Sequence, residues 1–568
     1  MMRILRRFKR ETRNTLETTA PNETAAASSA QTGWATGDAP LRAGCHVTPL
    51  VDGREAMHAM CIAFLRAEKF ILLAGWDMQA NLPMVRGEDA RAGADGSPEQ
   101  QRLIEQLRAV GLSDEAIGLW TAGTLRVTDV LGFAARRGVR VGVLLWDAFH
   151  LGSHLTNDPE QERKELTRVG VDCVLDDSSR HITHITQALH QKCAVVDSRI
   201  AFLGGVDLTA QYTGDYDRWD THHHPARSPD RLGDWTAPAH PWHDVHTMIE
   251  GPAVIDVQRN ITQRWMDVAA RHHSPDWPAQ LATEAPAPIA DGVTVQVTRT
   301  IPPNTYTFAP EGITTIRDMY VRAITQARSF IYFENQYLWP EVYLGLDSLR
   351  WGERSPEAME VLEAMGAALD RGVALTFVLP DHPNCGRRFT DGGIAWLRQR
   401  SPRAAAQHQL AVFTLGADER DGSGRVNYRP VYVHAKVAII DDTWWTAGSA
   451  NLNSRGLQSD AEINIAVFDA TTARDLRMRL WTEHLQPLPE ERALLEDPRA
   501  GLAALTKSAE TNLERVRRGE PLNGHVLPYA AADDAERLNL SISPEVGWLD
   551  NLEGGAGSLP AHYAHRYL

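Results

Sequence analysis

The stretch that decides the fold is HAKVAIID, residues 434–441, because the chain contains the same pattern a second time as HQKCAVVD, residues 190–197. Each copy has the form H-x-K-x4-D, and the two lie 244 residues apart. At the same offset, GGVDL at 204–208 matches GSANL at 448–452. The small and β-branched residues between lysine and aspartate predict a buried strand. Because residues i and i+2 of a strand share a face, the histidine and lysine of each copy are expected to project together, and the aspartate to close the strand.

The repeat extends well beyond the motif. A stretch with helical periodicity is followed by an apolar run, and later by a second apolar run that comes just after a glycine. The same order of segments occurs before both motifs. The matching ranges are 55–69 with 315–329 (helices), 70–76 with 330–336 (strands) and 141–145 with 375–379 (strands). Helix and strand alternating in the same order twice predicts an internal duplication, with an α/β sandwich in each half.

Composition shifts place the domain boundaries. We predict a basic, disordered tail at 1–43, a first domain at 44–285, a second domain at 290–500, and an extension at 501–568 that carries one helix over 502–518. The tail lacks the apolar core of a secretory signal. No apolar run of about 18 residues exists, so no spanning helix is expected.

The net charge and the cysteine content indicate which binding partners and which cell compartment are expected. The net charge of −15 argues against a non-specific nucleic-acid binder, which needs a basic surface to neutralise phosphates. The 5 cysteines are odd in number and scattered, which favours reduced thiols in a cytoplasmic or peripheral membrane protein.

The paired motifs resemble the signature of the phospholipase D superfamily, which carries one HKD motif in each half. The resemblance implies that the two halves pack around a pseudo-twofold axis with the active site at their interface. PWHDVH at 241–246, ENQY at 334–337 and YVHAK at 432–436 are similar to segments of eukaryotic-type phospholipases D. The likeness covers roughly residues 65–470 and shows no C2, PX or PH domain, so a compact bacterial phospholipase D fits best. Some proteins of that kind are exported as antibacterial effectors without a signal peptide, and the sequence is compatible with this.

The resemblance implies cleavage of the distal phosphodiester of a phospholipid, giving phosphatidic acid and a free head group, with transfer to an alcohol as a variant. A neutral imidazole can attack phosphorus while an imidazolium protonates the leaving oxygen. Carried over from the superfamily, His190 is the nucleophile and His434 the general acid, although the residues alone leave the reverse open. Lysines would hold the phosphoryl oxygens. The predicted catalytic set is His190, Lys192, Asp197, His434, Lys436 and Asp441.

Further polar residues are predicted to support this set. Asp207, Ser449 and Asn451 follow the two motifs and would help to bind phosphate or position the lysines. A carboxylate commonly orients a catalytic histidine. Glu462 is predicted to orient His434, and either Asp220 or Asp244 to orient His190.

No metal and no cofactor are expected, because the two lysines supply positive charge at the phosphate. Histidines crowd residues 222–224, 240, 243 and 246, yet no thiolate or carboxylate spacing accompanies them, which favours a solvated rim segment. The expected partner is a phospholipid membrane surface; protein partners are not indicated. Two alternatives remain. The first is a phosphatidyltransferase of the cardiolipin synthase kind, and the lack of an expected membrane-spanning helix counts against it. The second is a nuclease or binding protein on the same fold, and the acidic net charge and the intact motifs count against it.

Overall fold

A computed structural model of the chain describes residues 34–123, 125–147, 157–180, 187–209, 216–217, 240–342, 352–381, 386–420 and 422–529. Two mixed β-sheets, one in each half, organise these residues. Asp220, the histidines at 222–224 and most of the predicted tail and extension lie outside the described residues.

The first sheet has the strand order β4-β3-β2-β5-β6-β9-β1. Strands β2, β3 and β4 run parallel, and the remaining neighbours are antiparallel. The bounds are β1 Arg42–Val51, β2 Phe70–Gly75, β3 Arg140–Trp146, β4 Asp172–Asp176, β5 Cys193–Val196, β6 Ile200–Gly204, β7 Tyr216–Asp217, β8 His240–His243 and β9 Val245–Glu250. The short β7 and β8 lie outside this order and pair with each other.

The second sheet repeats that order as β14-β13-β12-β16-β17-β18-β10, again with its first three strands parallel. Its bounds are β10 Val293–Ile301, β11 Ile313–Thr314, β12 Phe330–Glu334, β13 Ala374–Val378, β14 Leu410–Arg420, β15 Val426–Val433, β16 Val437–Ile440, β17 Trp444–Gly448, β18 Glu462–Phe468 and β19 Val526–Pro528. The predicted α/β class and the duplication are therefore confirmed. The exact domain boundaries stay a prediction.

Helices cover both faces of each sheet. Their bounds are α1 Asp52–Arg66, α2 Gly87–Ala90, α3 Pro98–Ala109, α4 Asp114–Thr121, α5 Val127–Arg136, α6 Pro159–Arg168, α7 Val254–His272, α8 Thr315–Gln326, α9 Pro356–Asp370, α10 Arg387–Arg400, α11 Pro402–Ala406, α12 Ala470–Leu485 and α13 Pro498–Arg518. None of the described helices combines the length and the apolar character that crossing a bilayer requires.

Alternation along the central strands divides the apolar side chains between layers. In β2, Phe70 and Leu72 join a core shared by both halves, while Ile71 and Leu73 face the outer core beneath α1 and α5. The same division holds in the second half, where the outer core lies beneath α8 and α9. Because side chains alternate with a period of two, a strand buried on both faces reads as the continuous apolar run seen in the sequence.

The two halves also exchange backbone hydrogen bonds. Strand β8 of the first half pairs in parallel with β15 of the second. A second parallel bridge joins Leu189 of the first half to Ala461 of the second. Strand β1 reaches past its own sheet to pair with β10. These crossed pairings fix the seam at which both H-x-K segments lie.

Candidate active site

The two motif histidines face each other across the seam between the halves. The ring centroids of His190 and His434 are 6.5 Å apart. Each lies just before its motif strand, where the backbone N–H of His190 donates to Ala461 (2.9 Å) and that of His434 to His243 (2.8 Å). Both acceptors belong to the opposite half, so the packing of the two sheets sets the distance between the rings.

Each histidine is oriented by a carboxylate that crosses the seam. Glu462 accepts from Nδ1 of His190 at 3.0 Å, and Asp244 accepts from Nδ1 of His434 at 2.7 Å. The prediction that Glu462 orients His434 is therefore wrong: that role falls to Asp244, one of the two candidates proposed for His190. The other candidate, Asp220, lies outside the described residues. Glu462 begins β18 and Asp244 immediately precedes β9. The two places correspond, because the residues two positions further on, Asn464 and His246, pair with Gly448 and Gly204.

A difference between the two copies follows from these carboxylates. Ser449 donates to Oε2 of Glu462 and accepts from the backbone N–H of Ile463. Its counterpart in the first half is Gly205, where an added Cβ would lie 2.0 Å from Oδ1 of Asp244. Ser449 thus supports one orienting carboxylate, and glycine at 205 leaves room for the other.

The motif lysines are buried beside the histidines. Lys192 donates from Nζ to the carbonyl of His190 at 2.8 Å and lies 3.2 Å from Oδ2 of Asp207. Lys436 donates to the carbonyl of His434 and to Oε1 of Gln336, the latter at 3.1 Å.

The partners of the two lysines differ in charge. Oε1 of Gln336 also accepts from Asn451, at 3.2 Å. Asn451 corresponds to Asp207 in the motif repeat, so Lys192 is next to a carboxylate where Lys436 is next to neutral amides. The structure therefore brings Asp207, Ser449 and Asn451 to the site but gives the two halves different electrostatics. Their role in binding phosphate stays a prediction.

Aromatic side chains that the sequence reading did not single out form the walls of the site. Trp76 packs edge-on against His190 at a centroid distance of 5.7 Å and lies over the ammonium of Lys192 at 5.4 Å. Trp242 packs against His434 at 4.6 Å. The repeat contained a signal for Trp76, because it follows β2 at the place that Gln336 occupies after β12.

Burial and the positive charges of nearby side chains determine the pKa of His190. Burial, and next the charges of Lys192 and Lys436, lower the pKa of His190 well below its usual range. Burial, with the charge of Asp460 added, raises the pKa of Glu462 well above its usual range. A lowered pKa keeps the imidazole of His190 neutral near pH 7, and a neutral imidazole keeps a lone pair for attack on phosphorus.

The motif aspartates accept hydrogen bonds from the backbone at the start of a neighbouring strand, and their place in the catalytic set stays a prediction. Asp197 accepts from the backbone N–H groups of Glu68, Lys69 and Phe70, each at 2.8 Å. Asp441 makes the equivalent bonds to residues 328–330, at 2.8–2.9 Å. Both have positive φ, 54° and 52°, in the tight turns that follow β5 and β16. A carboxylate can accept several N–H groups at once. The two aspartates therefore join the starts of β2 and β12 to the turns after β5 and β16.

Two opposed imidazoles, each held by a carboxylate and flanked by buried lysines, define a phosphodiesterase-type site. The family profile described as Phospholipase D matches residues 119–361, and the one described as Cardiolipin synthase, PLD-like domain matches residues 320–482. The chain belongs to the phospholipase D superfamily and is a phosphodiesterase-type enzyme.

Plant phospholipases D are among its relatives. Phospholipase D alpha 3 of Arabidopsis thaliana is 25% identical over 84% of this chain and 70% of its own length. Phospholipase D alpha 2 of Oryza sativa subsp. japonica is 26% identical over 82% and 68%, and phospholipase D alpha 1 of Zea mays is 27% identical over 65% and 59%. The chain thus spans about two thirds of the length of these relatives. The crystal structure of phosphatidylserine synthase from Haemophilus influenzae Rd KW20 aligns with 88% of this chain and 99% of its own at 12% identity, with a TM-score of 0.44.

Proposed function

We propose that this protein is a phospholipase D that hydrolyses the distal phosphodiester bond of glycerophospholipids. The products are phosphatidic acid and the free head group, and the route is a covalent phosphohistidine. The observation that carries the proposal is the pair of opposed imidazoles, 6.5 Å apart between centroids, with Nδ1 of each held by a carboxylate from the other half. With Nδ1 held in this way, Nε2 is the atom of each ring that can attack phosphorus or transfer a proton.

The first step breaks the bond between phosphorus and the head-group oxygen. Nε2 of His190 supplies the electron pair that forms the N–P bond, and Nε2 of His434 gives its proton to the departing oxygen. Lys192 and Lys436 stabilise the charge that develops on the phosphoryl oxygens. The lowered pKa of His190 supports its role as the nucleophile, because attack requires the neutral ring.

The second step returns both histidines to their starting state. His434, now neutral, takes a proton from water, whose oxygen bonds to phosphorus as the N–P bond breaks. A primary alcohol in place of water would give a phosphatidyl alcohol by the same transfer of electrons and protons. A phosphatidyltransferase is therefore the second candidate, favoured by the match of residues 320–482 to the cardiolipin synthase profile. The phospholipid surface as partner, the bacterial origin and the export as an effector stay predictions.

The decisive experiment is to incubate the protein with mixed phospholipid vesicles, with and without a primary alcohol, and identify the products by mass spectrometry. We expect phosphatidic acid in water, and phosphatidyl alcohol in addition when alcohol is present. His190→Ala and His434→Ala should each abolish most turnover while the melting curve is kept. The matched control is His272→Ala, which removes an exposed imidazole bonded to Asp177 and should leave turnover unchanged. Near-full activity in either motif variant would refute a shared site.

A further inference from the structure

A group of buried ionisable side chains beside the seam takes no part in the proposed reaction. We call it the seam cluster; its members are Asp52, His243, Glu334, Glu483 and His484. Their side chains are at most 8% exposed. They come from four elements: the end of β8, the end of β12, the start of α1 and the last turn of α12.

One carboxylate in the seam cluster is shared by two imidazoles. Oε2 of Glu334 lies 2.9 Å from Nε2 of His243, and Oε1 lies 2.8 Å from Nε2 of His484. One ligand atom from each of these three residues falls within 4.8 Å of the others. In a tetrahedral zinc site with bonds of about 2.0–2.2 Å, ligand atoms lie about 3.3 Å apart. Small shifts of these three side chains therefore give the spacing of a metal shell.

The surroundings of the three residues resemble the outer shell of a metal site. Nδ1 of His243, on the far side of the ring, lies within ion-pair distance of Oδ1 of Asp52, at 3.1 Å. The hydroxyl of Tyr332 donates to Glu334 at 2.8 Å. A histidine that binds metal almost always donates its other ring N–H to such an acceptor, which fixes its tautomer and orientation.

Charge balance points to a cation in the same place. Asp52, Glu334 and Glu483 bring three carboxylates into the interior, and the nearby Arg479, which is ion-paired with Glu55, also interacts electrostatically with Glu483. Buried charges are paired or bind metals, because leaving them uncompensated is costly. With both imidazoles neutral, a divalent ion would cancel two of the three negative charges.

We propose that Nε2 of His243, a carboxylate oxygen of Glu334 and Nε2 of His484 bind one divalent transition-metal ion, and that zinc is the ion whose ligand preferences this set fits. The ion would join β8 of the first half to β12 and α12 of the second. Its role is structural, and it is separate from the lysines that would face the phosphate. Sequence spacing could not indicate it, because the ligands come from residues 243, 334 and 484.

The test begins with untagged full-length protein, purified without chelator and analysed for metals by mass spectrometry. We expect about one zinc per chain, because the three ligands form a single site. After removal of metal with a strong chelator, added Zn²⁺ should raise the Tm until about one equivalent is bound. Added Co²⁺ should give the visible absorption of a tetrahedral ion, a readout that needs no variant and no turnover.

Two variants locate the ion. Glu334→Gln and His484→Ala should lose the bound zinc and the dependence of Tm on Zn²⁺. A chain in which His222, His223 and His224 are changed to alanine keeps the seam cluster and should keep both. Zinc lost only from this triple-histidine variant would overturn the proposal. So would a wild-type protein with no metal, no Co²⁺ absorption and no response of Tm to Zn²⁺, in which case the imidazoles would balance the carboxylates by carrying protons. Neither outcome bears on lipid hydrolysis.

Discussion

The crossed carboxylates make the most specific prediction about catalysis. Glu462→Gln and Asp244→Asn keep the shape of each orienting side chain and remove its charge. If each carboxylate serves the histidine of the other half, Glu462→Gln acts on His190 and Asp244→Asn acts on His434. The two variants should therefore change different limbs of the pH–rate profile. Each substituted side chain contacts Nδ1, so its effect reaches the reacting Nε2 through the imidazole ring.

The size of the effect follows from the kind of hydrogen bond that is lost. Both carboxylates are buried and bond to a ring nitrogen at 2.7–3.0 Å. A hydrogen bond to a charged group contributes about 1.5–3 kcal/mol, which corresponds to roughly a 10- to 100-fold loss of turnover and a shift of about one to two pH units. A neighbouring carboxylate stabilises the imidazolium, so its loss lowers the pKa of the histidine.

The sign of each shift separates the two variants. A lower pKa makes the general acid His434 lose its proton at lower pH, so Asp244→Asn should move the alkaline limb to lower pH. The pKa of His190 is already well below its usual range. Glu462→Gln should lower that pKa further, which extends activity to more acidic pH and leaves the alkaline limb in place. The assay is kcat/KM for short-chain phosphatidylcholine across pH, with Tm measured for each variant.

Ser449→Ala is the matched control, because it removes one hydrogen bond from Glu462 and keeps the carboxylate charge. We expect a smaller loss of turnover and no movement of either limb. An alkaline limb moved by Glu462→Gln and not by Asp244→Asn would refute the assigned roles and make His434 the nucleophile. Full turnover in both carboxylate variants would refute the orienting role itself.

Three further predictions concern the motif aspartates, the intermediate and metals. Asp441→Ala should lower the free energy of unfolding by about 1–3 kcal/mol in urea titrations, because three backbone N–H groups lose their acceptor. Turnover per folded molecule should be largely kept. Lost turnover at unchanged stability would contradict a structural role for this aspartate. Phosphorus in a chiral phosphorothioate substrate should keep its configuration and the trapped adduct should be on His190, whereas inversion would exclude the covalent route. Brief exposure to chelator should leave turnover intact, since Lys192 and Lys436 supply the charge at the phosphate; an immediate loss that one equivalent of zinc restores would show a metal in the reaction.

Much of the fold could be predicted from the sequence because its signals are local. The apolar run after each motif lysine becomes β5 or β16, and the runs predicted over 70–76 and 330–336 become β2 and β12. The helix predicted over 502–518 is the greater part of α13. Periods of two and 3.6 residues, together with turn residues, act within one element, so two copies of the same signals indicate two copies of the same sheet.

The site depended on which segments meet. Glu462 and His190 are 272 residues apart, and Asp244 and His434 are 190 apart. No local pattern records either contact, and sequence proximity suggested the partner within the same half. The sequence by itself determined that each half carries one histidine, one lysine and one carboxylate on equivalent strands. Only the packing of the two sheets decided that each carboxylate reaches the other half's histidine, because β8 pairs with β15 and Leu189 with Ala461 across the seam.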